Sequence, residues 1–183
     1  MFRRWRRIDQ PGLELARIDI EARGVTVSST LVDGGTRPFS LRYIWTLTPR
    51  WRTQTLRIEH MNGDDRWLTI DRAGEASWRL DNRPAPALEG CDELDLSATP
   101  CCKTLAMRRL GRDGALIAAY IDANDLSVQP SRQRYERLSP THWRHHDLGV
   151  AAGFSASLRL DGEGWSRVMK ACSRPSTKPQ RRT

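Results

Sequence analysis

Residues 39–47, FSLRYIWTL, carry an apolar side chain at every second position. Successive side chains of a β-strand point to opposite faces, so this alternation predicts a strand with one apolar and one polar face. FSASLRL, residues 154–160, repeats the pattern. A chain built from such segments has to bury one side of a sheet. The apolar set of the first segment is Phe39, Leu41, Tyr43, Trp45 and Leu47.

Turn residues separate the strand candidates. Asn62-Gly63, Asp113-Gly114 and Asp161-Gly162 favour tight hairpins because these residues accept the positive φ angles that such turns require. The short, regular spacing between turns is typical of all-β domains. The sequence therefore predicts an all-β fold: a single strongly curved antiparallel sheet (a β-roll or open barrel) with few short helices. Further strand candidates are residues 25–27, 55–60, 66–71 and 116–122.

One candidate strand contains a change of phase. Leu13 and Leu15 alternate, and Ile18 and Ile20 alternate, but the two pairs are one residue out of step. A β-bulge inserts one extra residue into a strand. The slip therefore predicts a bulge at residues 16–17.

Helix signals are weak. Prolines interrupt the chain at short intervals, and no long window has a clean 3.6-residue period. TPCCKTLAM, residues 99–107, predicts at most a helical turn, with Thr99 as N-cap and Pro100 at the first position.

The net charge of +8 lies at the two ends of the chain. Residues 1–7 contain four arginines and no acid, residues 174–183 contain three arginines, one lysine and no acid, and the remainder carries equal numbers of bases and acids. A folded nucleic-acid module shows a basic face on its body, so the balance does not favour specific nucleic-acid binding. We predict one β-roll domain over residues 1–173 and a basic disordered tail over residues 174–183.

No segment has the length and apolar character of a transmembrane helix, and the N-terminus does not read as a secretory signal. These features predict a cytoplasmic protein, in which cysteines stay reduced. The four expected thiols are Cys91, Cys101, Cys102 and Cys172.

The sequence predicts no enzyme and no cofactor. It contains no G-x-S-x-G, no phosphate-binding loop and no dinucleotide fingerprint. The adjacent Cys101 and Cys102 poorly suit two ligands of one tetrahedral zinc, and His142 and His146 fit a solvated strand. We therefore predict neither catalytic residues nor a metal site, although a strongly perturbed acid pair in a pocket would revive an enzyme hypothesis.

Seven tryptophans are spread along the chain at roughly one per strand. They favour a role in the core of a bent sheet, with a stacking platform for bases or sugars as the alternative.

A family resemblance rests on residues 88–111, LEGCDELDLSATPCCKTLAMRRLG. This stretch resembles the signature G-C-x-D-x-D-[LI]-x-x-T-P-F-T-N-T-L-P-I-R-R-L of a bacterial family described as putative glycolipid-binding. Cys101-Cys102-Lys103 departs from its Phe-Thr-Asn, and Ala106 departs from a proline. The residues that match are Gly90, Cys91, Asp95, Thr99, Pro100, Thr104, Leu105, Arg108, Arg109 and Leu110.

The resemblance extends from about residue 5 to 168, including Tyr43, Trp51, Gln133 and Tyr135. It implies a curved antiparallel β-roll similar to the unclosed barrels of lipoprotein carriers, and it carries no catalytic residues. Fold likeness alone is a weak basis for function.

The leading functional hypothesis is a non-enzymatic protein that binds a glycolipid or other amphipathic lipid in the concave face of the sheet. Apolar side chains would accept the acyl chain, and rim arginines would meet the headgroup. We expect residues 88–111 to connect two sets of strands, with Asp95 paired to Arg108 or Arg109. The alternative is association with an anionic polymer or membrane through the basic N- and C-terminal arms. The sequence predicts no oligomeric state. The predicted ligand-binding residues are Tyr43, Trp45, Trp51, Arg108, Arg109 and Tyr135.

Overall fold

A computed structural model describes residues 1–63 and 66–167. The predicted tail and Cys172 lie outside the described residues. The chain is mostly β, and its strands form an eight-stranded and a five-stranded sheet. The prediction of an all-β fold with a large antiparallel sheet that does not close into a barrel is confirmed, but the strands are divided between two sheets rather than forming the single sheet predicted.

The first sheet is an antiparallel meander in which every strand pairs with its neighbour in sequence. Tight turns make this order possible; Gly63, for example, has a φ of 83° in the predicted Asn62-Gly63 turn. The strands are β1 (Phe2–Arg6), β2 (Gly12–Glu21), β3 (Gly24–Asp33), β4 (Phe39–Leu47), β5 (Thr53–His60), β6 (Trp67–Arg72), β7 (Trp78–Leu80) and β8 (Arg83–Pro84).

The second sheet has the order β13-β12-β11-β10-β9. It consists of β9 (Glu93–Leu96), β10 (Gly114–Ile121), β11 (Val128–Ser139), β12 (His142–Asp147) and β13 (Ser155–Arg159). β9 and β10 run parallel, unlike the other pairs. Parallel neighbours need a long crossover connection, and here the connection contains the helix α1 (Cys101–Leu110).

Helix α1 is longer than the single turn that the sequence predicts, and it begins one residue later, with Pro100 rather than Thr99 at the N-cap position. The Thr99 hydroxyl accepts a hydrogen bond from the Cys101 amide at 3.1 Å, and Gly111 ends the helix with a φ of 64° and a bond to the Met107 carbonyl. Left-handed glycine is the usual stop of a helix. A short 3₁₀ turn, Pro86–Leu88, precedes β9. Within residues 1–63 and 66–167, no helix is long and apolar enough to cross a membrane.

The core lies between the two sheets, with α1 inside it. All five alternate side chains of β4 are buried, as predicted. Cys101, Cys102 and Leu105 of α1 belong to the large cluster that joins the first sheet to β9 and the end of β10, whereas Ala106 and Met107 belong to a smaller cluster within the second sheet. The helix therefore fills the hollow of the curved sheet with its own side chains.

The predicted bulge at residues 16–17 is wrong. β2 pairs with β3 in unbroken register, so Glu14, Ala16 and Ile18 point into the core while Leu13 and Leu15 point outward. Because side chains of a strand alternate with a period of two, the position of one residue determines the face of all the others. Here the buried Ile18 places Ala16 and Glu14 on the inner face. Shifts of register occur elsewhere, at residues 46–47 and 137–139.

The basic N-terminal segment is a strand, not a free arm. β1 pairs with β2, and the buried Trp5 donates its indole N–H to the Ser166 carbonyl at 2.6 Å. Arg3 forms ion pairs with Asp161 and Glu163.

Candidate functional site

The inner face of the first sheet is filled. Tyr43 is 1% exposed and Trp45 is fully buried, and both belong to the core between the sheets. Tyr135, on β11, is 1% exposed and belongs, like Met107 of the helix, to the second part of the core. These three residues were predicted to contact a ligand, but their side chains are core residues rather than the lining of an open groove. The sequence did not reveal that α1 would occupy the hollow.

A buried carboxyl, Glu14, lies behind Tyr43. Its Oε1 accepts hydrogen bonds from Tyr43 (2.7 Å), Ser29 (2.8 Å) and Thr99 (3.0 Å). Burial raises the pKa of Glu14 to about 7, although the three hydroxyl donors lower it in part. The group joins β2, β3, β4 and the connector. Sequence reasoning missed it, yet its alternation with Ala16 and Ile18 was the signal that placed it inside.

Asp95 centres a second buried polar cluster, which we call the Asp95 cluster: Asp95, Cys102, Lys103, Gln133, Tyr135 and His145. Lys103 donates to Asp95 at 2.7 Å, and Cys102 donates at 2.9 Å. Gln133 donates from its amide to Asp95, and Tyr135 donates to Gln133 at 2.9 Å.

The predicted pairing of Asp95 with Arg108 or Arg109 is wrong, because Lys103 takes that place. An α-helix rises 1.5 Å per residue, so Arg108 lies roughly 7.5 Å farther along the axis than Lys103. Arg109 instead contacts Asp92, at 3.6 Å.

Charges in the Asp95 cluster are matched. Burial alone would raise the pKa of Asp95, but Lys103 and the Cys102 hydrogen bond bring it below its ordinary value. Burial would likewise lower the pKa of Lys103, but Asp95 raises it. Burial, with repulsion from Lys103, lowers the pKa of His145, so this imidazole is neutral. The Asp95–Lys103 ion pair therefore links α1 to β9 of the second sheet.

The three described cysteines are free, buried thiols. Burial raises the pKa of Cys91 to about 11 and also raises the pKa of Cys101 and of Cys102. A thiol nucleophile needs a lowered pKa, so these groups are packing residues. Residues 1–63 and 66–167 contain no cluster of three or more side chains suited to a metal ion.

The other signature residues hold the connector in place. Gly90 has a φ of 84°, a conformation that favours glycine. Pro100 and Leu105 are buried, and Leu110 is half-buried at the end of α1. The buried Thr104 accepts a hydrogen bond from the Ser166 amide at 3.1 Å. The prediction that the connector joins two sets of strands agrees with this position between the sheets.

Two of the predicted ligand residues, Trp51 and Arg108, do meet. The Arg108 guanidinium lies 4.3 Å from the Trp51 ring and 5.6 Å from the buried Trp165 ring, and it donates to the Glu163 carbonyl at 2.8 Å. Trp51 has a φ of 61°, which is strained for a bulky residue. The guanidinium covers the indole face, so the pair ties α1 to the turn between β4 and β5.

An open groove lies at the turn between β1 and β2, with a volume of about 790 Å³. Ile8 is 63% exposed, Leu13 53% and Val32 50%, so the apolar wall faces solvent. Its polar lining consists of Arg6, Arg7, Gln10 and Asp33. We call this the β1–β2 groove.

The floor of the β1–β2 groove is an ordered polar network. Arg7 pairs with Asp33 and with Asp9, the latter at 2.9 Å. Burial would lower the pKa of Arg7, but the bonds to Asp9 and Asp33 raise it above its ordinary value. Gly12 is needed here because an added Cβ would lie 2.9 Å from Arg7 Cδ. The sequence predicts a basic arm that includes Arg7 and makes no prediction for Asp9, Gly12 or Asp33, so the groove was not predicted.

Comparisons with known proteins agree with the fold and the signature. The family described as "Putative glycolipid-binding" matches residues 2–167. The crystal structure of a DUF1089 family protein from Pseudomonas aeruginosa is similar, with a TM-score of 0.74 and 26% sequence identity over 93% of this chain and 95% of that chain. No curated protein matches the chain. The match covers nearly all of the described residues, so the chain belongs to the family described as putative glycolipid-binding.

Proposed function

We propose that the protein is a non-enzymatic binding protein for an amphipathic lipid with a polar, glycosidic or anionic headgroup, held in the β1–β2 groove. The observation that carries the proposal is the exposure of Ile8, Leu13 and Val32 beside ordered polar groups. Exposed apolar side chains grouped in a groove are typical of ligand sites.

The groove suits both ends of such a molecule. Its volume of about 790 Å³ falls within the usual size of ligand pockets. An acyl segment over the apolar wall gains roughly 0.8 kcal/mol for each buried methylene. Gln10 offers its amide oxygen to a sugar hydroxyl, and Arg6 offers a guanidinium to an anionic group. The buried Asp33 carboxylate already accepts from Arg7, Gln10 and Gly35, so it orders the floor of the groove.

A site on the concave side receives less support. Tyr43 and Trp45 would have to leave a packed core before a chain could contact them. Exposing large buried side chains costs several kcal/mol. The proposal therefore moves the ligand from the inner face to the β1–β2 groove.

A binding role without catalysis is part of the proposal. The buried cysteines lack the lowered pKa of nucleophiles, and Asp95 and Lys103 neutralise each other away from the groove. The family name, which describes binding, points in the same direction.

Direct titration tests the proposal. A short-chain glycolipid, kept below its critical micelle concentration, is titrated into the full-length protein and followed by native mass spectrometry and by the melting temperature. We expect a one-to-one complex and a rise in melting temperature. Ile8→Asp should weaken binding at least about tenfold, because it places a charge on the apolar wall. Leu138→Asp, at an exposed apolar residue of β11, is the matched control and should bind normally.

Absence of any complex, with no lipid recovered from the protein purified from cells, would overturn the proposal. Equal loss of binding in Ile8→Asp and Leu138→Asp would also count against the groove.

A further inference from the structure

We propose that the outer face of the first sheet docks on the surface of an anionic lipid bilayer. This goes beyond single-lipid binding in the groove and rests on the pattern of side chains that point away from the core across β1 to β6. Arg6, Leu13 and Val32 belong both to the β1–β2 groove and to the border of this surface. We call this surface the outer patch.

The outer patch consists of three cross-strand rows. The register places outward residues of β1 to β6 directly opposite one another. Each row contains both arginine and apolar side chains, together with serine or threonine. The rows are Arg6, Leu13, Val32, Ser40; Arg4, Leu15, Thr30, Arg42, Glu59, Trp67; and Phe2, Arg17, Ser28, Ile44, Arg57, Thr69.

The apolar members are strongly exposed for a sheet surface. Phe2, Leu13, Leu15, Val32, Ile44 and Trp67 are each between 46% and 60% exposed. Grouped apolar exposure of this kind marks interaction surfaces rather than ordinary solvent-facing strands. Tryptophan and phenylalanine are also side chains that insert at the boundary between headgroups and acyl chains.

Charge identifies the partner. The outer patch contains five arginines and one acid, Glu59. Arg42 pairs with Glu59 at 2.7 Å, and Arg17 pairs with Asp19 at the patch border. Arg4, Arg6 and Arg57 form no ion pair with any residue of the described ranges. A surface that is both basic and apolar is complementary to anionic headgroups with acyl chains beneath them.

Shallow depressions run across the same surface. One of about 610 Å³ lies between Ile44, Arg57 and Trp67, and one of about 330 Å³ lies between Phe2, Leu15 and Ile44. Headgroups can sit in such depressions while guanidinium groups bind their phosphates bidentately. The first depression lies away from Ile8 and Gln10, so it can be tested separately from the β1–β2 groove.

Vesicle flotation with the full-length protein tests docking. Vesicles of pure phosphatidylcholine are compared with vesicles that contain phosphatidylglycerol. We expect binding only to the anionic vesicles, and loss of that binding at high salt because screening weakens exposed charges. Arg57→Glu and Trp67→Ala should each weaken binding at least about fivefold, since each outer arginine and each inserted aromatic contributes to interfacial affinity.

Control variants distinguish vesicle binding by the outer patch from binding by surface charge in general or by the basic chain ends. Arg112→Glu changes an exposed arginine that follows α1, and Leu138→Asp changes an exposed leucine on β11. Both should bind vesicles within about twofold of the wild type, because single surface changes away from the patch have small effects. All variants retain the basic residues 174–183, so binding that survives Arg57→Glu and Trp67→Ala unchanged would assign it to those ends and overturn the proposal.

The two proposals fail separately. Ile8→Asp should lose single-lipid binding and keep vesicle binding, whereas Arg57→Glu and Trp67→Ala should do the reverse. Equal binding to neutral vesicles would overturn docking by charge. Self-association that is abolished by Trp67→Ala, without vesicle binding, would assign the outer patch to a second copy of the chain and also overturn docking.

Discussion

Glu14 is a fully buried carboxyl, in a position where a negative charge is energetically unfavourable. Three hydroxyl groups donate to Oε1, while Oε2 has no hydrogen-bond partner in the described ranges. A carboxyl in such a site prefers to be protonated, in agreement with a pKa of about 7.

Glu14→Gln tests this directly. The raised pKa means that the folded state binds a proton that the unfolded state has already released, so stability from this group falls as pH rises from about 4.5 to about 7. The fall is on the order of 3 kcal/mol. The variant should lose this pH dependence and be more stable than the wild type at pH 8, as measured by urea unfolding across pH.

Ser29→Ala is a second test of the raised pKa of Glu14. The substitution removes a hydroxyl that stabilises the charged Glu14 carboxylate, so the pKa of Glu14 should rise. The pH range over which stability falls should therefore move upward. Stability curves of wild type and Glu14→Gln that run parallel from pH 4 to 8 would show that Glu14 does not titrate in this range.

The Asp95–Lys103 pair predicts the opposite response to acid. The pKa of Asp95 is lowered, so the pair's contribution is fully present above the ordinary carboxyl pKa and is lost as pH falls from that value through the lowered pKa of the folded state. The pKa of Lys103 is raised, so its contribution is lost only as pH rises through that higher value. The pair is therefore intact at neutral pH.

Lys103→Met should destabilise the fold by about 3 kcal/mol or more, because it leaves the buried Asp95 charge without a cation. The double variant Asp95→Asn and Lys103→Met should recover most of that loss, measured by urea unfolding at pH 7. Additive losses in the double variant would contradict a direct charge pair.

At the scale of elements, the strands were predictable and the helix was not. Period-two alternation fixed β4, and the Asn62-Gly63 turn fixed the hairpin of β5 and β6, because both signals are local. Helix α1 has no apolar stripe, since it is buried on two sides by two sheets. Its length and its place in the hollow depend on tertiary contacts that local propensity does not encode.

Arg108 links α1 to the turn between β4 and β5 of the first sheet. Its guanidinium lies over Trp51 and donates to Glu163, and burial lowers its pKa while Asp161 raises it in part. Arg108→Ala should destabilise the fold by about 1 kcal/mol, the usual size of a partly exposed cation–π contact, and should change tryptophan fluorescence at Trp51. Arg109→Ala, which loses only a 3.6 Å contact with Asp92, is the control and should have a smaller effect on both.

Rescue by lysine separates stacking from charge. Arg108→Lys retains the cation but loses the planar guanidinium, so it should behave like Arg108→Ala in fluorescence. Wild-type fluorescence in Arg108→Ala would show that Trp51 does not depend on the contact.

At the scale of the whole molecule, the sequence predicted the sheet but not what each of its faces does. The apolar inner face of β4 was predicted correctly, because the alternation of residues 39–47 determines which side chains are buried. Which face remains free depends on whether anything fills the hollow, and α1 does so through contacts between residues far apart in sequence. The outer patch was not predicted for a related reason: a bulge at residues 16–17 would place Leu13 and Leu15 on the same face as Ile18, whereas the unbroken register places them on the opposite face.

The folded N-terminus supplies the final prediction. β1 is an edge strand whose Trp5 is buried against Trp165 and donates to the Ser166 carbonyl. Trp5→Ala should destabilise the protein by roughly 3–5 kcal/mol, since it removes a large buried side chain and leaves a cavity. Arg4→Ala, the adjacent outward residue, should leave stability nearly unchanged because its side chain is exposed. Urea unfolding of both variants at pH 7 distinguishes a strand that completes the core from a basic arm that only carries charge, for which Trp5→Ala and Arg4→Ala would have equally small effects.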